Sequence, residues 1–322
     1  MTIASDELSE TRQRTIGCML GLAYGDAIGA SYEGRLIEQA VWFVIGKTAK
    51  GEKRYTDDTQ MSIDLAESMI ACNGFVANDV AKRFAANYRW SRGYGPGAAK
   101  ILKLIQKGTP WQVARTSAFP NGSWGNGGAM RAPVVALFHS QDSTGARVVE
   151  LARAQASITH AHTLAQDGAA LVAASLFHAL RLNAGQCNKS EFWRNVVSLA
   201  NLQDAKAWEA RCEWASNGLN LSEDSQPSPR VVAGKLGNGI AALDSCVTAI
   251  YIAIRFMEDD FFKMLNFIRQ CKGDVDTMGA IAGSIYGAIN GFRGFYSSRN
   301  INIENIKEIE ELGERIFAMS QH

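Results

Sequence analysis

Apolar residues along most of this chain recur at every third or fourth position, the period of an amphipathic helix, and they rarely alternate as in a strand. Residues 169–182 and 245–257 are apolar nearly all round, which is typical of helices buried inside a bundle. Only residues 41–45 have the composition of a strand, and that run is short. The pattern predicts one all-α domain. Its clearest amphipathic runs are residues 61–70, 80–88 and 101–105.

We expect neither a signal peptide nor a membrane-spanning segment in this sequence. The first 14 residues are polar and lack the apolar segment of a secretory signal peptide. The longest mainly apolar run, residues 168–182, is broken by Ser175 and His178 and is too short to span a bilayer. We expect a polar tail at residues 1–14, one domain at residues 15–322, and a soluble protein of the cytoplasm that does not associate with membranes.

Composition and charge exclude several classes of protein. The 322 residues are 47% hydrophobic and 20% charged, which argues against disorder. Lys and Arg total 33 against 32 Asp and Glu, so the net charge of +1 supplies no basic field for nucleic acid. The six cysteines form no C-x-x-C pair, so neither a disulfide framework nor a zinc ribbon is indicated.

Two short acidic clusters each precede a helical run. The first is Thr56-Asp57-Asp58-Thr59, and the second is Gly273-Asp274-Val275-Asp276-Thr277. Helix capping is the simplest explanation for either cluster alone, since Asp and Thr satisfy free N–H groups in a first turn. Capping does not explain why each cluster has two carboxylates with a hydroxyl beside them. Four converging carboxylates would repel one another unless cations neutralise them.

Oxygen ligands of this kind favour hard ions, namely Mg²⁺, Mn²⁺ or Ca²⁺, over Zn²⁺. An EF-hand is excluded because Met278 and Ile285 occupy positions of the second cluster where oxygen ligands are needed. Two such ions about 3.5–4 Å apart would polarise an oxygen and orient or activate water.

Glycines mark two further features. Gly279, Gly283 and Gly287 follow the second cluster at every fourth position, a glycine face that lets another helix come very close. The loop at residues 123–131 has glycines that permit close approach to a ligand, and Trp124 offers a flat face for a base or sugar. Backbone amides of a helix that follows such a loop could hold a diphosphate, although G-x-G-G also makes ordinary turns.

Two motifs of other sites are incomplete. Gly46-Lys47-Thr48 imitates the end of a phosphate-binding P-loop, but Val41 stands where the motif needs its first glycine. His160 and His162 are spaced as a zinc pair, but no Cys or further His completes the usual set, so structural histidines are the default interpretation.

Five segments of the chain, in the order in which they occur, resemble motifs of the ADP-ribosylglycohydrolase family, and the resemblance extends from residue 17 to about residue 291. The resemblance implies a compact, single-domain orthogonal helical bundle with a binuclear Mg²⁺ centre, or Mn²⁺, at the base of an ADP-ribose cleft. The matching stretches are Gly21-Leu22-Ala23-Tyr24-Gly25-Asp26-Ala27-Ile28-Gly29, Tyr55-Thr56-Asp57-Asp58-Thr59, Gly125-Asn126-Gly127-Gly128-Ala129-Met130-Arg131, Thr159-His160-Ala161 and Gly273-Asp274-Val275-Asp276-Thr277.

Carried over position by position, the resemblance implies a role for each matching residue. Thr56, Asp57 and Asp58 would bind one ion, and the two aspartates would count among the catalytic groups. Asp274 and Thr277 would bind the other ion, with Asp276 bridging the two. Asp26 would support the ligands from behind or cap the next turn. The ADP-ribose contacts would be Gly95, Ser123, Trp124, Gly125, Asn126, Gly127, Gly128, Met130, His160 on the phosphate side and Ile240 beside the adenine.

The closest subtype removes ADP-ribose from serine and shortens poly(ADP-ribose). Ala30-Ser31-Tyr32-Glu33 matches the Ser-Phe-Tyr-Glu flap of that subtype, which puts Glu33 in the mobile catalytic position for proton transfer. Arg92-Gly93-Tyr94-Gly95 follows its pattern, and Trp124 stands where that subtype has Tyr. The arginine-specific branch, which includes the dinitrogenase reductase-activating enzyme, shares the metal motifs but usually differs around this glutamate.

The expected function is therefore Mg²⁺-dependent removal of O-linked ADP-ribose from modified proteins, with poly(ADP-ribose) and O-acetyl-ADP-ribose as further substrates. One alternative is hydrolysis at arginine, which would reverse a transferase toxin or a regulatory modification. Another is a non-catalytic binder of ADP-ribose or an inhibitor of a transferase, which ranks last because every metal-ligand position is filled. The expected partners are the modified protein and ADP-ribose, not nucleic acid, and the expected state is a monomer.

Overall fold

Helices make up almost all of the regular structure in the computed structural model, which describes residues 2–32, 42–182, 188–292, 295 and 301–321. Within these residues, β structure is limited to isolated bridges. The all-α prediction is confirmed. In chain order the helices are α1 (Thr2–Gly29), α2 (Asp57–Ala71), α3 (Ala77–Ala86), α4 (Pro96–Gln106), α5 (Trp111–Ala114), α6 (Ala132–Phe138), α7 (Ala146–Ala156), α8 (Thr163–Ala179), α9 (Lys189–Ala200), α10 (Ala205–Leu219), α11 (Pro229–Leu236), α12 (Ala242–Arg255), α13 (Phe261–Cys271), α14 (Val275–Asn290) and α15 (Ile306–Ser320), with 3₁₀ turns at Ala30–Tyr32, Trp90–Arg92, Asn126–Gly128 and Glu223–Ser225.

The strand predicted at residues 41–45 is wrong. Residues 42–45 form a helical turn, and Val41 lies outside the described residues. The turn is closed by the amide of Gly46, which donates to the carbonyl of Trp42 at 2.7 Å. A helical turn satisfies backbone groups locally, whereas a lone strand has to find a partner strand for its N–H and C=O groups.

Helix α1 begins well before the predicted domain boundary at residue 15. It runs without a break from Thr2 to Gly29 and so includes most of the stretch that the composition sets apart as a tail. Arg14 is buried, and its guanidinium donates to the carbonyls of Ala179 and Leu180 at the end of α8. The boundary itself stays a prediction. Among the described residues, every helix is too short or too polar to cross a bilayer.

The centre of the molecule consists of α8, α12 and α14, which are buried along nearly their whole length. The first two were predicted as buried helices because they are apolar all round, and this is confirmed. Small residues let them approach closely. A Cβ atom on Gly168 of α8 would lie only 2.9 Å from the Cβ of Ala242 and the Sγ of Cys246 on α12.

The closest helix pair is α1 against α14, joined by two facing rows of glycine. Gly21 faces Gly283, and a Cβ on either would lie 2.0 or 2.1 Å from the carbonyl oxygen of the other. The predicted glycine face is confirmed, and its partner is α1. Because the backbones touch, neither row tolerates a side chain. The facing pairs are Gly17 with Gly287, Gly21 with Gly283 and Gly25 with Gly279.

Gly21→Ala should destabilise the protein by about 3 kcal/mol or more. Overpacking costs about 1–3 kcal/mol where the neighbouring side chains can move aside, and the neighbour here is backbone, which cannot move aside. The matched control is Gly234→Ala in α11, where a Cβ has open space. Alanine there should be neutral or stabilise by about 0.5–1 kcal/mol. Urea unfolding midpoints measure both. Equal midpoints for the two variants would show that the helices separate more easily than the glycine contact implies.

Candidate active site

Asp26 ties α1 to the first turn of α2. Its buried carboxylate accepts hydrogen bonds from the amide and hydroxyl of Thr56, at 3.0 and 2.8 Å. It also accepts from the amide and hydroxyl of Thr59, at 3.0 and 2.6 Å. The free N–H groups at the start of α2 are thereby satisfied by a residue 30 or more positions earlier in the chain. Asp26 therefore fixes where Asp57 and Asp58 begin α2.

The second acidic cluster is positioned by a backbone contact before α14. Gly273 has φ +78°, and a Cβ there would lie 1.9 Å from the carbonyl oxygen of Asn238. The same carbonyl accepts from the amide of Asp274 at 2.8 Å. Only glycine fits this left-handed position against another backbone. Asp274 and Asp276 are thus held at the start of α14, beside the end of α1.

The two clusters meet. Thr277 on α14 donates from its hydroxyl to Oδ2 of Asp58 on α2 at 3.3 Å. Asp26, Asp58 and Asp276, all buried, each place a carboxylate oxygen within 4.8 Å of the others. The side-chain amide of Asn126 donates to Oδ2 of Asp274 and, at 2.9 Å, to Ser245 Oγ. The structure therefore brings together Thr56, Asp57, Asp58, Asp274, Asp276 and Thr277, the set expected to bind metal.

Burial and mutual repulsion raise the pKa values of these carboxyl groups. Burial first and the charge of Asp276 second raise the pKa of Asp26 to about 7 and that of Asp57 to about 8. The same two causes, in the same order, raise the pKa values of Asp58 and Asp274 well above the ordinary range. Holding so many carboxylates ionised in one buried place is costly without a positive charge among them.

The donor set fits a hard divalent cation. Oδ1 of Asp58 is buried and has no hydrogen-bond partner in the described structure, so a strong acceptor is left unused in the middle of the cluster. Carboxylate and hydroxyl oxygens surround it, as Mg²⁺, Mn²⁺ or Ca²⁺ require. Asp26 differs, since both of its oxygens already accept from Thr56 and Thr59. We assign Asp26 as the anchor of α2 and leave ligation to the other acids.

The glycine-rich loop at residues 123–128 lies beside this cluster and pairs with the segment before α12. The backbone amide of Asn126 donates to the carbonyl of Ile240, and the backbone amide of Ala242 donates to the carbonyl of Trp124, both at 3.0 Å. Ser123 Oγ accepts from the amide of Gly125 at 3.2 Å. The pairing leaves two apolar side chains in solvent, with 63% of Trp124 and 72% of Ile240 exposed. Exposed apolar groups at one polar site suit an aromatic ligand.

Other predicted contact residues fall in different environments. Gly95 is exposed at the start of α4. Gly128 packs against Ala156 of α7, and Met130 is buried in the hydrophobic core with 3% of its surface exposed. Their parts in ligand binding stay predictions. Glu33, the expected proton-transfer group, lies outside the described residues.

Arg131, for which sequence reasoning found no role, braces the loop from inside. It is fully buried and donates to the carbonyl of Gly127, to Oε1 of Gln155 at 2.7 Å and to Oγ1 of Thr159 at 2.9 Å. Burial lowers the pKa of Arg131 to about 9, and the charge of Asp57 opposes that shift. The available signal was an arginine as the last residue of the glycine motif, just before an apolar run.

The hydrogen bonds of Arg131 also determine the tautomer of His160. Thr159 Oγ1 accepts from Arg131, which has only donors, and lies 2.8 Å from Nδ1 of His160. Since Thr159 is fully buried, its hydroxyl hydrogen has to go to Nδ1, so Nε2 carries the ring hydrogen. Burial first, then the charge of Arg131, lowers the pKa of His160 to about 3. The neutral ring packs directly against Gly127, with Nε2 as its free donor.

Comparison with solved structures places this fold among known proteins. The chain superposes on the structure described as an ADP-ribosylglycohydrolase-related protein complex with a TM-score of 0.67 and 24% identity, covering 97% of this chain and 99% of the other. The fold and the buried acidic cluster together define an all-α protein whose helix N-termini bring carboxylates together in its interior. The ADP-ribosylglycohydrolase family model matches residues 7–322. The chain belongs to this family and is an ADP-ribosyl glycohydrolase.

Relatives of known name span nearly the same length. The chain is 31% identical to "ADP-ribosylhydrolase ARH3" of Gallus gallus, over 94% of this chain and 92% of that protein. It is 29% identical to the Homo sapiens protein of the same name, over 95% and 93%. It is 27% identical to "ADP-ribosyl-[dinitrogen reductase] glycohydrolase" of Rhodospirillum rubrum, over 95% and 96%.

Divalent cation should stabilise the folded protein, because it neutralises carboxylates that otherwise repel. At a hundredfold excess over its dissociation constant, Mg²⁺ should contribute about 2.7 kcal/mol and raise the melting temperature by several degrees. In EDTA, Asp58→Asn should melt above wild type, since one charge of the repelling cluster is gone, and should lose the response to Mg²⁺. The exposed Asp224→Asn should behave as wild type. A wild-type melting temperature indifferent to Mg²⁺ and Mn²⁺ would contradict the assignment.

Thr159→Val should remove the preference of His160 for one tautomer. Wild type is expected to show the Nε2–H form in ¹⁵N-edited NMR spectra of the imidazole, and Thr159→Ser should keep it. The valine variant should show a mixed population and lose about 1–3 kcal/mol of stability, since Arg131 and Nδ1 both lose a buried partner. An Nδ1–H form in wild type would show that the hydrogen-bond assignment is wrong.

Proposed function

We propose that this protein is a Mg²⁺-dependent hydrolase with two ions per chain that removes ADP-ribose O-linked to serine, and that it also shortens poly(ADP-ribose) and cleaves O-acetyl-ADP-ribose. One observation carries the proposal. Carboxylates from α2 and from the start of α14 converge with an unused buried oxygen on Asp58, next to a glycine-rich loop that exposes Trp124. An acidic centre beside an aromatic, amide-rich loop suits a ligand that has both a diol and a nucleotide.

The proposed ligand set is the one that the resemblance to the family implies. Thr56, Asp57 and Asp58 would hold one ion, Asp274 and Thr277 the other, and Asp276 would lie between them. When bound, the ions would neutralise the cluster, hold the hydroxyls of the distal ribose and orient a water for attack. Asn126 would keep Asp274 turned toward the centre through the hydrogen bond between them.

Proton transfer is assigned to Glu33. Cleavage of the bond from the ribose C1″ to oxygen passes through an oxocarbenium-like state, and the departing oxygen needs a proton. Glu33 follows the Ala30–Tyr32 turn, which directly continues α1 beyond Asp26. The carboxyl group of Glu33 would give its proton to the serine oxygen.

The nucleotide end would occupy the paired loop. Trp124 and Ile240, both exposed, would contact the ribose and the adenine, and loop amides other than those of Gly125 and Asn126 would donate to the diphosphate. The Nε2–H of His160 would add a neutral donor on the phosphate side. Burial and the charge of Arg131 keep this ring uncharged before a ligand binds, with its pKa lowered to about 3.

The choice of serine rests on the flap at residues 30–33 and on identities near 30% to proteins named ADP-ribosylhydrolase ARH3. Hydrolysis at arginine is the second candidate, because the Rhodospirillum rubrum relative matches 95% of this chain at 27% identity. A non-catalytic binder is disfavoured by the complete acidic set. We also propose a monomer in the cytoplasm, in agreement with free thiols at all five described cysteines.

The deciding experiment offers serine-linked and arginine-linked ADP-ribosyl peptides side by side with Mg²⁺ and follows free ADP-ribose. Release from serine alone is expected. Release from arginine alone would keep the fold and the acidic centre but overturn the role given to Glu33. No release from either, with tight ADP-ribose binding intact, would favour the binder.

Asp57→Ala and Asp276→Ala should each abolish turnover while the far-ultraviolet circular dichroism stays that of wild type, because these carboxylates are held for cations and not for packing. Asp224→Ala, at an exposed turn, is the control and should keep full activity. Full activity of either site variant in metal-stripped buffer would rule out the binuclear centre.

Trp124→Ala should weaken ADP-ribose binding by about tenfold, since loss of an aromatic stacking contact costs about 1–3 kcal/mol. Its melting response to Mg²⁺ should not change. Calorimetric titration of ADP-ribose and of Mg²⁺ measures the two separately, with Leu221→Ala as the control for an exposed apolar residue. Equal losses for both ligands would count against a stacking role.

A further inference from the structure

The charge of this protein is distributed very unevenly. Residues 80–141 contain no Asp or Glu, although the whole chain has 32 of them. The same stretch contains nine basic residues. The rest of the chain therefore has more acidic than basic residues, and the net charge of +1 does not reveal this basic region. The nine are Lys82, Arg83, Arg89, Arg92, Lys100, Lys103, Lys107, Arg115 and Arg131.

Three of these lysines converge on one groove along α4. Lys100, Lys103 and Lys107 are exposed on a single face of the helix, since they are three and four residues apart. They line a groove of about 460 Å³ whose floor is formed by Pro96, Ala99 and Leu104. We call this surface the α4 groove.

The lysines of the α4 groove have no carboxylate partner among the described residues. Lys100 donates to the carbonyl of Ser117 at 2.7 Å, and the ammonium of Lys103 lies 5.5 Å from the ring centre of Tyr88. In the described part of residues 80–141, ion pairs to acids involve Arg83 with Asp79 and Arg92 with Glu304. The positive charge of the groove is therefore available to a partner.

The α4 groove begins at the active site. Gly93, three residues before α4, would place a Cβ 3.9 Å from Oδ1 of Asp57. Helix α4 starts at Pro96 and extends for 11 residues, about 16 Å at 1.5 Å per residue. A chain that is attached to the ribose in the site can therefore continue along α4 and meet the lysines one after another.

We propose that the α4 groove binds an acidic, partly aliphatic segment of the protein that carries the ADP-ribose, close in sequence to the modified residue. The inference rests on the proposed function and adds a determinant of substrate choice to it. Glu or Asp side chains on one face of an extended segment pair with the three ammonium groups, and the methylene groups of these side chains cover Pro96, Ala99 and Leu104. Lys103 and Lys107 are about 6 Å apart along the helix axis, close to the repeat of about 7 Å between side chains on one face of an extended peptide.

A phosphate polymer fits this surface less well. The floor of the groove is aliphatic and offers no aromatic face on which a base could stack. Its rim consists of lysine, a point charge, and lacks the planar arginine fork that pairs with phosphate in two bonds. We therefore favour the peptide, and a phosphate polymer becomes an outcome of the test.

The test compares two serine-linked ADP-ribosyl peptides of equal length, one flanked by alternating Glu and Leu and one with Gln in place of each Glu. Wild type should have a kcat/KM about tenfold higher for the acidic peptide, through a lower KM, and added salt should remove the preference. Lys100→Gln/Lys103→Gln/Lys107→Gln should lose the preference and keep wild-type turnover of the neutral peptide. Lys50→Gln/Lys206→Gln/Lys307→Gln, on other exposed elements, should retain it.

A binding measurement separates failure of this inference from failure of the proposed function. The acidic peptide without ADP-ribose is labelled, and its fluorescence anisotropy is followed as protein is added. Wild type should bind it at least tenfold more tightly than the α4 triple variant, whether or not any peptide is hydrolysed. Equal weak binding by both proteins overturns the inference, as does stronger competition from a single-stranded oligonucleotide than from the peptide itself.

Discussion

The contact between the backbones of α1 and α14 is the constraint on which the active site depends. Glycine rows on both helices remove every Cβ from the interface, so the two axes come closer than side chains would allow. At the C-terminal end of α1, Gly29 touches the backbone of Asp276, so the first turn of α14 lies directly beside the last turns of α1. Asp26 and Asp276 become neighbours for this reason, and Asp26 in turn fixes the start of α2 through Thr56 and Thr59.

This arrangement concentrates negative charge where folding alone would avoid it. Burial and mutual repulsion raise the pKa values of Asp26, Asp57, Asp58 and Asp274, and the charge of Arg131 offsets only part of this rise, at Asp57. A structure keeps such a cluster when something other than stability requires it, as cation chemistry does. Membership of the ADP-ribosylglycohydrolase family agrees with that interpretation.

Much of this could be predicted from the sequence, because the features involved are local. Helical periodicity indicated α2, α3, α4, α8 and α12, and the row of glycines on α14 indicated a close neighbour. The acidic clusters were recognisable because each begins a helix with carboxylates and hydroxyls side by side. The resemblance to a family added the order of the motifs, which no physical rule supplies.

What could not be predicted depends on contacts between distant parts of the chain. Gly17, Gly21 and Gly25 have the same four-residue spacing as the row on α14, yet nothing local says that the two rows face each other. Asp26 caps a helix 30 residues later and not the next turn, and Arg131 acquires its role only when Thr159 folds beside it. The strand at residues 41–45 was wrong because apolar residues alone do not supply a partner strand. The net charge also concealed the basic stretch that includes α4.

The glycine contact between α1 and α14 creates a buried carboxylate cluster, and we infer that this cluster holds divalent cations. Anomalous diffraction from crystals grown with Mn²⁺ tests it most directly, because the signal locates the ions independently of activity. Two peaks are expected within coordination distance of the cluster, with Oδ1 of Asp58 ligating one of them and Asp276 between the two. A cluster without any peak at saturating Mn²⁺, with Oδ1 of Asp58 bonded to a protein donor or to water, would contradict it.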